Sequence, residues 1–427
     1  MPELDSKTPV DDDSPSPSQD TPRGPAPIEG VSAARRWAAI AALALGGFGI
    51  GVTEFATLGL LPDLASDLLP QAYAADPASA NATAGIMVSV YALGVVVGAP
   101  TITALAARMS RKRLLLVLLA VFVVGNLLSA VLPSFGLVTA ARFLSGIPHG
   151  AYFGVASLVA ASLMGPGKRA MGVSLVLAGL TVANIVGVPL GTFVGQSFGW
   201  RTTYLMVTLI FAVTLVFVLI AVPFRPGDRS ATMRNELSAF RRPLVWLTLL
   251  MGSVGFGGMF AVYTYVTPLT TDVTGLEASF VPIVLVVFGI GMTVGNLLGG
   301  WFTDHGVKRS LIVAMGGLGI AVLALGLTAQ SPVGLIASIL FVGFFVGGAG
   351  PAVQTRLMDV SHDAQSVAAA LNHSALNIGN SLGAYLGGLV IAAGLGYTSP
   401  AFVGLGLATV GILVALISFA VERRRGR

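Results

Sequence analysis

Cysteine is absent from the 427 residues, so disulfides, thiol nucleophiles and Cys-based metal centres are excluded. Charge is scarce too. Asp, Glu, Lys and Arg make up 10% of the chain, where a soluble domain carries about a quarter. Four histidines, at 149, 305, 362 and 373, are scattered and form no His-x-x-x-His pair, so no metal site is expected. There is no Gly-x-x-x-x-Gly-Lys-[Ser/Thr] loop, which removes ATP drive from within this chain. No nucleophile, base and orienting group cluster as an enzyme requires, and no cofactor is expected. The remaining non-transport class is a membrane sensor.

Apolar residues make up 55% of the chain, and glycine, at 54, is abundant in the way closely packed membrane helices require. Residues 1–34 differ in being rich in Asp, Ser and Pro, and read as a disordered tail, too polar to order itself and too acidic for a signal peptide. From Trp37 onward the apolar runs are long enough to cross a bilayer, which takes about 20 helical residues. They are expected near 37–61, 83–105, 113–132, 138–162, 170–195, 202–223, 244–267, 280–303, 310–329, 333–354, 366–393 and 398–421. The runs are continuous rather than alternating, so a barrel does not fit.

The net charge of +5 resembles a nucleic-acid signal until the cations are placed. They fall in alternate connections: Arg108 to Arg113, Lys168 and Arg169, Arg225 to Arg242, Lys308 and Arg309, and the final Arg423 to Arg427. The intervening connections carry Arg201 alone. Positive residues collect on the cytoplasmic side, so both termini are expected there and no nucleic acid or nucleotide partner is.

The two halves repeat. Residues 94–116 align without gaps to 291–313 at an offset of 197, bringing Gly94 to Gly291 and Gly98 to Gly295. Arg35 to Pro62 matches Arg241 to Pro268 at 206, and Ala183 to Gly195 matches Ala375 to Gly387 at 192. The chain therefore reads as an all-α membrane protein of 12 transmembrane helices in two pseudo-symmetric six-helix halves. The expected parts are the tail 1–34, a bundle 35–223, a cytoplasmic linker 224–242, a bundle 243–422 and a basic tail 423–427. Parallel repeats with a site between them suit alternating access.

Over residues 35–422 the chain resembles the major facilitator superfamily, in particular its twelve-span drug:proton antiporters. GVTEFATLGLLP (51–62), RFLSGIPHGAYFG (142–154), VTPLTTDVTGL (266–276) and LNIGNSLGAYLGG (376–388) resemble the branch of arabinose-type efflux permeases and actinobacterial chloramphenicol exporters. The resemblance implies a bacterial inner-membrane protein, acting as a monomer, that moves a small molecule against protons. The family's cytoplasmic loop motif is degraded in the first half, where Ala107 replaces the Asp and Ser110 a Gly, while Arg108, Arg111 and Lys112 remain. The second half keeps Asp304, Lys308 and Arg309. The resemblance makes Asp304 part of the inner gate, and Arg356 and Asp359 are expected to join it. In the fifth helix Val188 separates Gly187 from Pro189, but the stripe Gly187, Gly191 and Gly195 survives. It is expected to pack against the other half, and Gly379, Gly383 and Gly387 repeat it.

Ionisable groups inside a span are functional candidates by default. Glu54 lies eight residues before Pro62, about 12 Å from the outer helix end. Hydrocarbon disfavours its carboxylate, so it can take a proton on one side and release it on the other; the plain alternative is a paired structural Glu. Arg142 needs a partner, with Glu54 the natural one, or else reaches the outer interface. His149, beside Pro148, either relays a proton, binds substrate or packs helices. His373, Asn377 and Asn380 form one polar stripe on the eleventh span, lining a cavity or bonding between helices. Tyr152, Tyr263 and Tyr265 offer aromatic contacts to a ligand or serve as packing. Export of a mostly apolar molecule is the leading reading; uptake of a sugar or nucleoside is the other, and the direction of labelled substrate movement separates them.

Overall fold

The computed structural model describes residues 31–106, 109–164, 169–224, 241–361 and 365–425. Among the described residues, twelve helices are long and apolar enough to cross a membrane. In chain order they are α1 (Ala33–Gly59), α2 (Pro77–Ala99), α3 (Arg111–Val131), α4 (Phe135–Met164), α5 (Met171–Phe198), α6 (Trp200–Ala221), α7 (Pro243–Tyr263), α8 (Ala278–Thr303), α9 (Val307–Thr328), α10 (Pro332–Ser361), α11 (Leu371–Ala392) and α12 (Ser399–Arg424). Large apolar side chains such as Leu209, Ile220, Leu297 and Ile320 lie exposed around the outside, as a lipid solvent requires.

Helix ends depart from expectation where polar caps operate. The first helix starts at Ala33, inside the expected tail, because the Ser32 hydroxyl accepts from the Arg35 backbone N–H. The connection after α1 is not a plain loop. It folds as short helices Leu61–Leu68 and Pro70–Ala75, and Asp76 then caps the start of α2 at Pro77. The final helix runs into the basic tail as far as Arg425. Residues 1–30 and most of the expected linker, 225–240, lie outside the described residues.

Prolines mark the irregular points. The fourth span is two helices, Phe135–Gly146 and His149–Met164, broken at Ile147 and Pro148. Immediately before Pro189, α5 widens into a π-turn over Ala183–Gly187, the usual accommodation of a disturbed hydrogen-bond ladder.

The repeat is visible as backbone contact. A Cβ added to Gly94 would strike the Phe143 carbonyl, one on Gly98 the Ile147 carbonyl, and one on Gly146 the Tyr91 carbonyl. In the second half Gly291 meets the Leu340 carbonyl, Gly295 that of Phe344, and Gly343 that of Phe288. Every one of these six residues and its partner carbonyl is related by the same offset of 197. Helices α2 and α4 therefore pack as α8 and α10 do, by glycines that let backbones touch.

The glycine stripe of α5 packs differently from expectation. Gly187 lies against Val52 and Phe48, Gly191 against Ala56, and Gly195 against Leu60, all belonging to α1 or the residue after it, with Thr203 of α6 also in contact. The stripe thus faces its own half. Its counterpart on α11, Gly379, Gly383 and Gly387, likewise faces α7. Another part of α5 does meet the second half: at its π-turn Gly289 of α8 seats on the Asn184 carbonyl. Pro189 is buried in the helix that follows this turn.

Candidate functional site

The middle of α1 is rich in glycine, at 46, 47, 49 and 51, and neighbours use that space. The Tyr152 ring covers Gly46, and Phe153 lies against Gly47. Close approach of α4 brings the buried polar side chains of both helices together at Thr53, Glu54, Arg142 and His149.

Glu54 is 7% exposed. Its Oε1 accepts from Asn380 Nδ2 at 3.1 Å, a hydrogen bond from α11 that links the two halves. Its Oε2 stands 3.9 Å from His149 Nδ1. That nitrogen is closer to the Tyr91 hydroxyl of α2, at 3.0 Å. Phe153 continues the cluster: its ring stacks on His373 of α11 with centroids 5.3 Å apart and planes within 5°.

Arg142 neither pairs directly with Glu54 nor reaches the interface. It is 1% exposed. Nη1 donates to Thr53 Oγ1 at 2.8 Å and Nη2 to the Thr53 carbonyl at 2.7 Å. Thr53 Oγ1 in turn donates to Asn126 Oδ1 at 2.5 Å. The guanidinium lies over the rings of Tyr91, 4.4 Å to the centroid, and Tyr204, 5.3 Å. Aromatic faces and a backbone carbonyl thus take the place of a counter-ion in contact. Arg142 reaches Glu54 electrostatically without touching it.

The three tyrosines expected at the cavity are built into packing. The Tyr152 hydroxyl donates to the Leu43 carbonyl at 2.9 Å, and its ring meets Phe122 edge-on. The Tyr265 hydroxyl donates to the Ala384 carbonyl at 2.9 Å. Tyr263 stacks on Phe288, centroids 3.9 Å apart, and stands 6.3 Å from the Phe55 ring. Asn377 Nδ2 donates to the His373 carbonyl one turn earlier. Of the expected residues, Glu54, His149, His373 and Asn380 come together. Tyr91, Thr53 and Asn126 complete the cluster and carried no sequence signal, since a Tyr, Thr or Asn in a span is ordinary.

The expected gate residues make ties within each half. Lys112 Nζ donates to the Leu219 carbonyl at the end of α6. Arg356, 3% exposed, holds Glu422 of α12 by both oxygens, at 3.1 and 2.9 Å, and Lys308 joins the same carboxylate at 2.7 Å. Glu422 was not anticipated; it ends the expected second bundle directly before Arg423–Arg425, and its sequence neighbours give no sign of a partner. Arg356 therefore belongs to an α9–α10–α12 tie and not to Asp359, which is exposed, as is Arg309. Arg111 opens α3. Arg108 and the Asp304 side chain lie outside the described residues.

At the end remote from the Arg-rich connections the halves are joined. Thr267 Oγ1 donates to the carbonyls of Leu58, 3.2 Å, and Gly59, 2.9 Å. Asn81 Nδ2 donates to the Tyr397 hydroxyl at 2.7 Å; deeper between the halves, Ser89 Oγ donates to the Ser381 carbonyl, next to Asn380, at 3.1 Å.

Residues 43–284 and 271–427 match the family model of the Major Facilitator Superfamily. The inner membrane transport protein YdhP of Escherichia coli K12 is 36% identical over 377 residues, 88% of this chain and 95% of that protein. A chloramphenicol resistance protein of Streptomyces lividans is 32% identical over 374 residues, 86% of this chain and 92% of its own. Among solved structures, a D-xylose-proton symporter superposes with a TM-score of 0.72 at 17% identity, covering 90% of this chain and 97% of the symporter. That likeness is one of fold.

Proposed function

Since the chain belongs to the Major Facilitator Superfamily, and is thereby a multi-pass membrane transporter of small molecules, we propose that it works as a proton-coupled exporter of a small, mostly apolar molecule. The observation that carries this reading is Glu54: a buried carboxyl on α1 whose two oxygens face His149 of its own half and Asn380 of the other. A titrating group at the seam between the halves can sense and bias their relative position. The Lys/Arg bias sets the Arg-rich end and both termini in the cytoplasm, in a bacterial inner membrane. The end joined by Thr267 and Asn81 is then the outer gate, shut in this structure. The transporter acts as a monomer, because each chain contains both halves.

Chloramphenicol is the first substrate to try, since it names the resistance of the Streptomyces lividans relative. The decisive variant is Glu54→Gln in proteoliposomes with an imposed pH gradient. The amide keeps the shape and holds no exchangeable charge. Gradient-driven accumulation should stop, while binding and substrate-for-substrate exchange persist. Accumulation at the wild-type rate by Glu54→Gln removes Glu54 as the proton carrier.

A further inference from the structure

Asn380 is 1% exposed and uses only half of its amide. Nδ2 is spent on Glu54, and Oδ1 is buried without a partner. Asn377, one turn earlier, shows the same pattern: Nδ2 on the His373 carbonyl, Oδ1 buried and unpartnered. Amide orientation is set by chemistry in both cases. A backbone carbonyl only accepts, so Asn377 must turn its NH2 toward it. An ionised carboxylate only accepts, so Asn380 must do the same. Both residues share a face of α11 with His373. Because His373 stacks on Phe153 and Asn380 bonds Glu54, that face looks into the first half. Two carbonyl oxygens thus wait at the seam for donors. A buried acceptor left empty is costly, and a molecule bearing N–H or O–H groups relieves it.

Protonating Glu54 changes what the carboxyl needs. An acid O–H must find an acceptor. The titratable and charged groups around it are His149 and Arg142 on α4, Tyr91 on α2, Tyr204 on α6 and His373 beyond His149 on α11; Tyr263 of α7 packs on the neighbouring Phe55. Arg142 only donates, and it bonds Thr53. Tyr204 bonds Thr57 at 2.9 Å. His149 Nδ1 is engaged by the Tyr91 hydroxyl whichever of the two donates, so it is closed to a proton from 3.9 Å away. The Asn380 carbonyl, reached by turning one amide, is an acceptor already within hydrogen-bond reach of Glu54.

Resting on the reading of Glu54 as proton carrier, we propose that Asn380 is where proton and ligand exclude one another. Ionised Glu54 leaves the Asn380 carbonyl free to accept from an N–H or O–H of the ligand, and protonated Glu54 takes that carbonyl for itself. Asn377, locked by the His373 carbonyl, is a constant acceptor beside it. The ligand is neutral, because Glu54 and Arg142 already balance in the ionised state and a cation would be buried without a counter-charge. Its body is flat and apolar enough to lie beside the Phe153–His373 stack. A proton entering Glu54 then ejects the ligand by withdrawing a hydrogen-bond partner.

The test needs no natural substrate. Purified full-length protein, with 13C in its asparagine side-chain carbonyls, is titrated under infrared difference spectroscopy. A carboxylic-acid band absent from Glu54→Gln marks protonation of Glu54. The same titration should shift one asparagine carbonyl band, which is lost in Asn380→Leu and Asn380→Ser and kept in Asn377→Leu. A Glu54 band without a moving asparagine band overturns the switch and leaves the carrier standing. Absence of any titrating Glu54 band overturns both. Benzamide and N,N-dimethylbenzamide, which differ in their N–H donors, are then compared by saturation-transfer NMR on either side of the Glu54 transition. Benzamide should bind about tenfold more weakly once Glu54 is protonated, and the dimethyl compound equally on both sides. Equal behaviour of the pair, or retention of neither, overturns the donor-bearing ligand class.

Discussion

Replacing Glu422 by Gln tests whether the Arg356 tie is internal to the second half or part of a gate. Arg356 is 3% exposed and donates to both carboxylate oxygens, at 2.9 and 3.1 Å. The Gln amide keeps one acceptor but turns a donor toward the guanidinium, leaving a buried cation half-partnered. Breaking a fully buried pair costs about 3–5 kcal/mol. The carboxylate side chain here is 36% exposed, so water screens part of that loss, and about 2 kcal/mol is expected. Lys308, 47% exposed on the same carboxylate, should cost under about 1 kcal/mol when changed to Gln, as surface pairs do. Equilibrium unfolding in mixed detergent micelles, followed by tryptophan fluorescence, reads both. The companion variant Arg356→Leu should be far less harmful in the Glu422→Gln background than alone, because no stranded charge remains. Additive single effects, or a Lys308→Gln cost equal to that of Glu422→Gln, refute a buried tie. A gate role predicts something else: altered cross-linking between the halves at the Arg-rich end, which Glu422→Gln should leave unchanged.

Two further outcomes follow from close contacts and from one exposed acid. Gly98→Leu and Gly295→Leu should both abolish monodisperse protein on fluorescence-detected size exclusion, since even a Cβ meets the carbonyls of Ile147 and Phe344, whereas Gly300→Ala, with nothing within 4 Å, should behave as wild type. Asp67, in the connection after α1, accepts from Arg201 and from Trp200 Nε1, and the Arg201 hydrogen bond holds its carboxyl below the ordinary carboxylate range. A depressed folded-state pKa contributes stability above the unfolded value that is lost as pH falls through the folded one. Acidification should therefore loosen this tie and change Trp200 fluorescence, and Asp67→Asn should remove that acid transition. At nearly half exposure the pair contributes only about 0.2–1 kcal/mol.

Much of the fold is legible in the chain because a bilayer permits so few solutions. Continuous apolar runs become helices, and the spacing of Gly94, Gly98, Gly291 and Gly295 already holds the repeat that the backbone contacts display. Glu54 and His149 stand out as ionisable groups in hydrocarbon, and they do lie 3.9 Å apart. What the sequence leaves unread is partnership. Arg142 is matched to Glu54 when only charges are counted, yet Thr53, one residue earlier on α1, reaches it with both a hydroxyl and a carbonyl. Tyr91 has no distinguishing pattern at all. The α5 glycines have a period that fits packing on either half, and only the path of the chain decides that α1 receives them. Tyr152 and Tyr265 look like ligand contacts in sequence because nothing there reveals a carbonyl waiting for each hydroxyl.

The carbonyl seats under the glycines have a bearing on how the two copies diverged. Each seat uses the glycine of one helix and the main chain of the other, so the partner residue's side chain has no part in the fit. Glycines at 94, 98 and 146 are matched by glycines at 291, 295 and 343, while their partners Phe143, Ile147 and Tyr91 are matched by Leu340, Phe344 and Phe288. Tyr91 and Phe288 hold up equivalent contacts with equivalent carbonyls. One has its hydroxyl on His149 beneath the Arg142 guanidinium, and the other stacks on Tyr263. The scaffold is indifferent to that difference. A duplicated bundle built this way can make one copy chemically active and keep the other inert, without disturbing the symmetry both rely on.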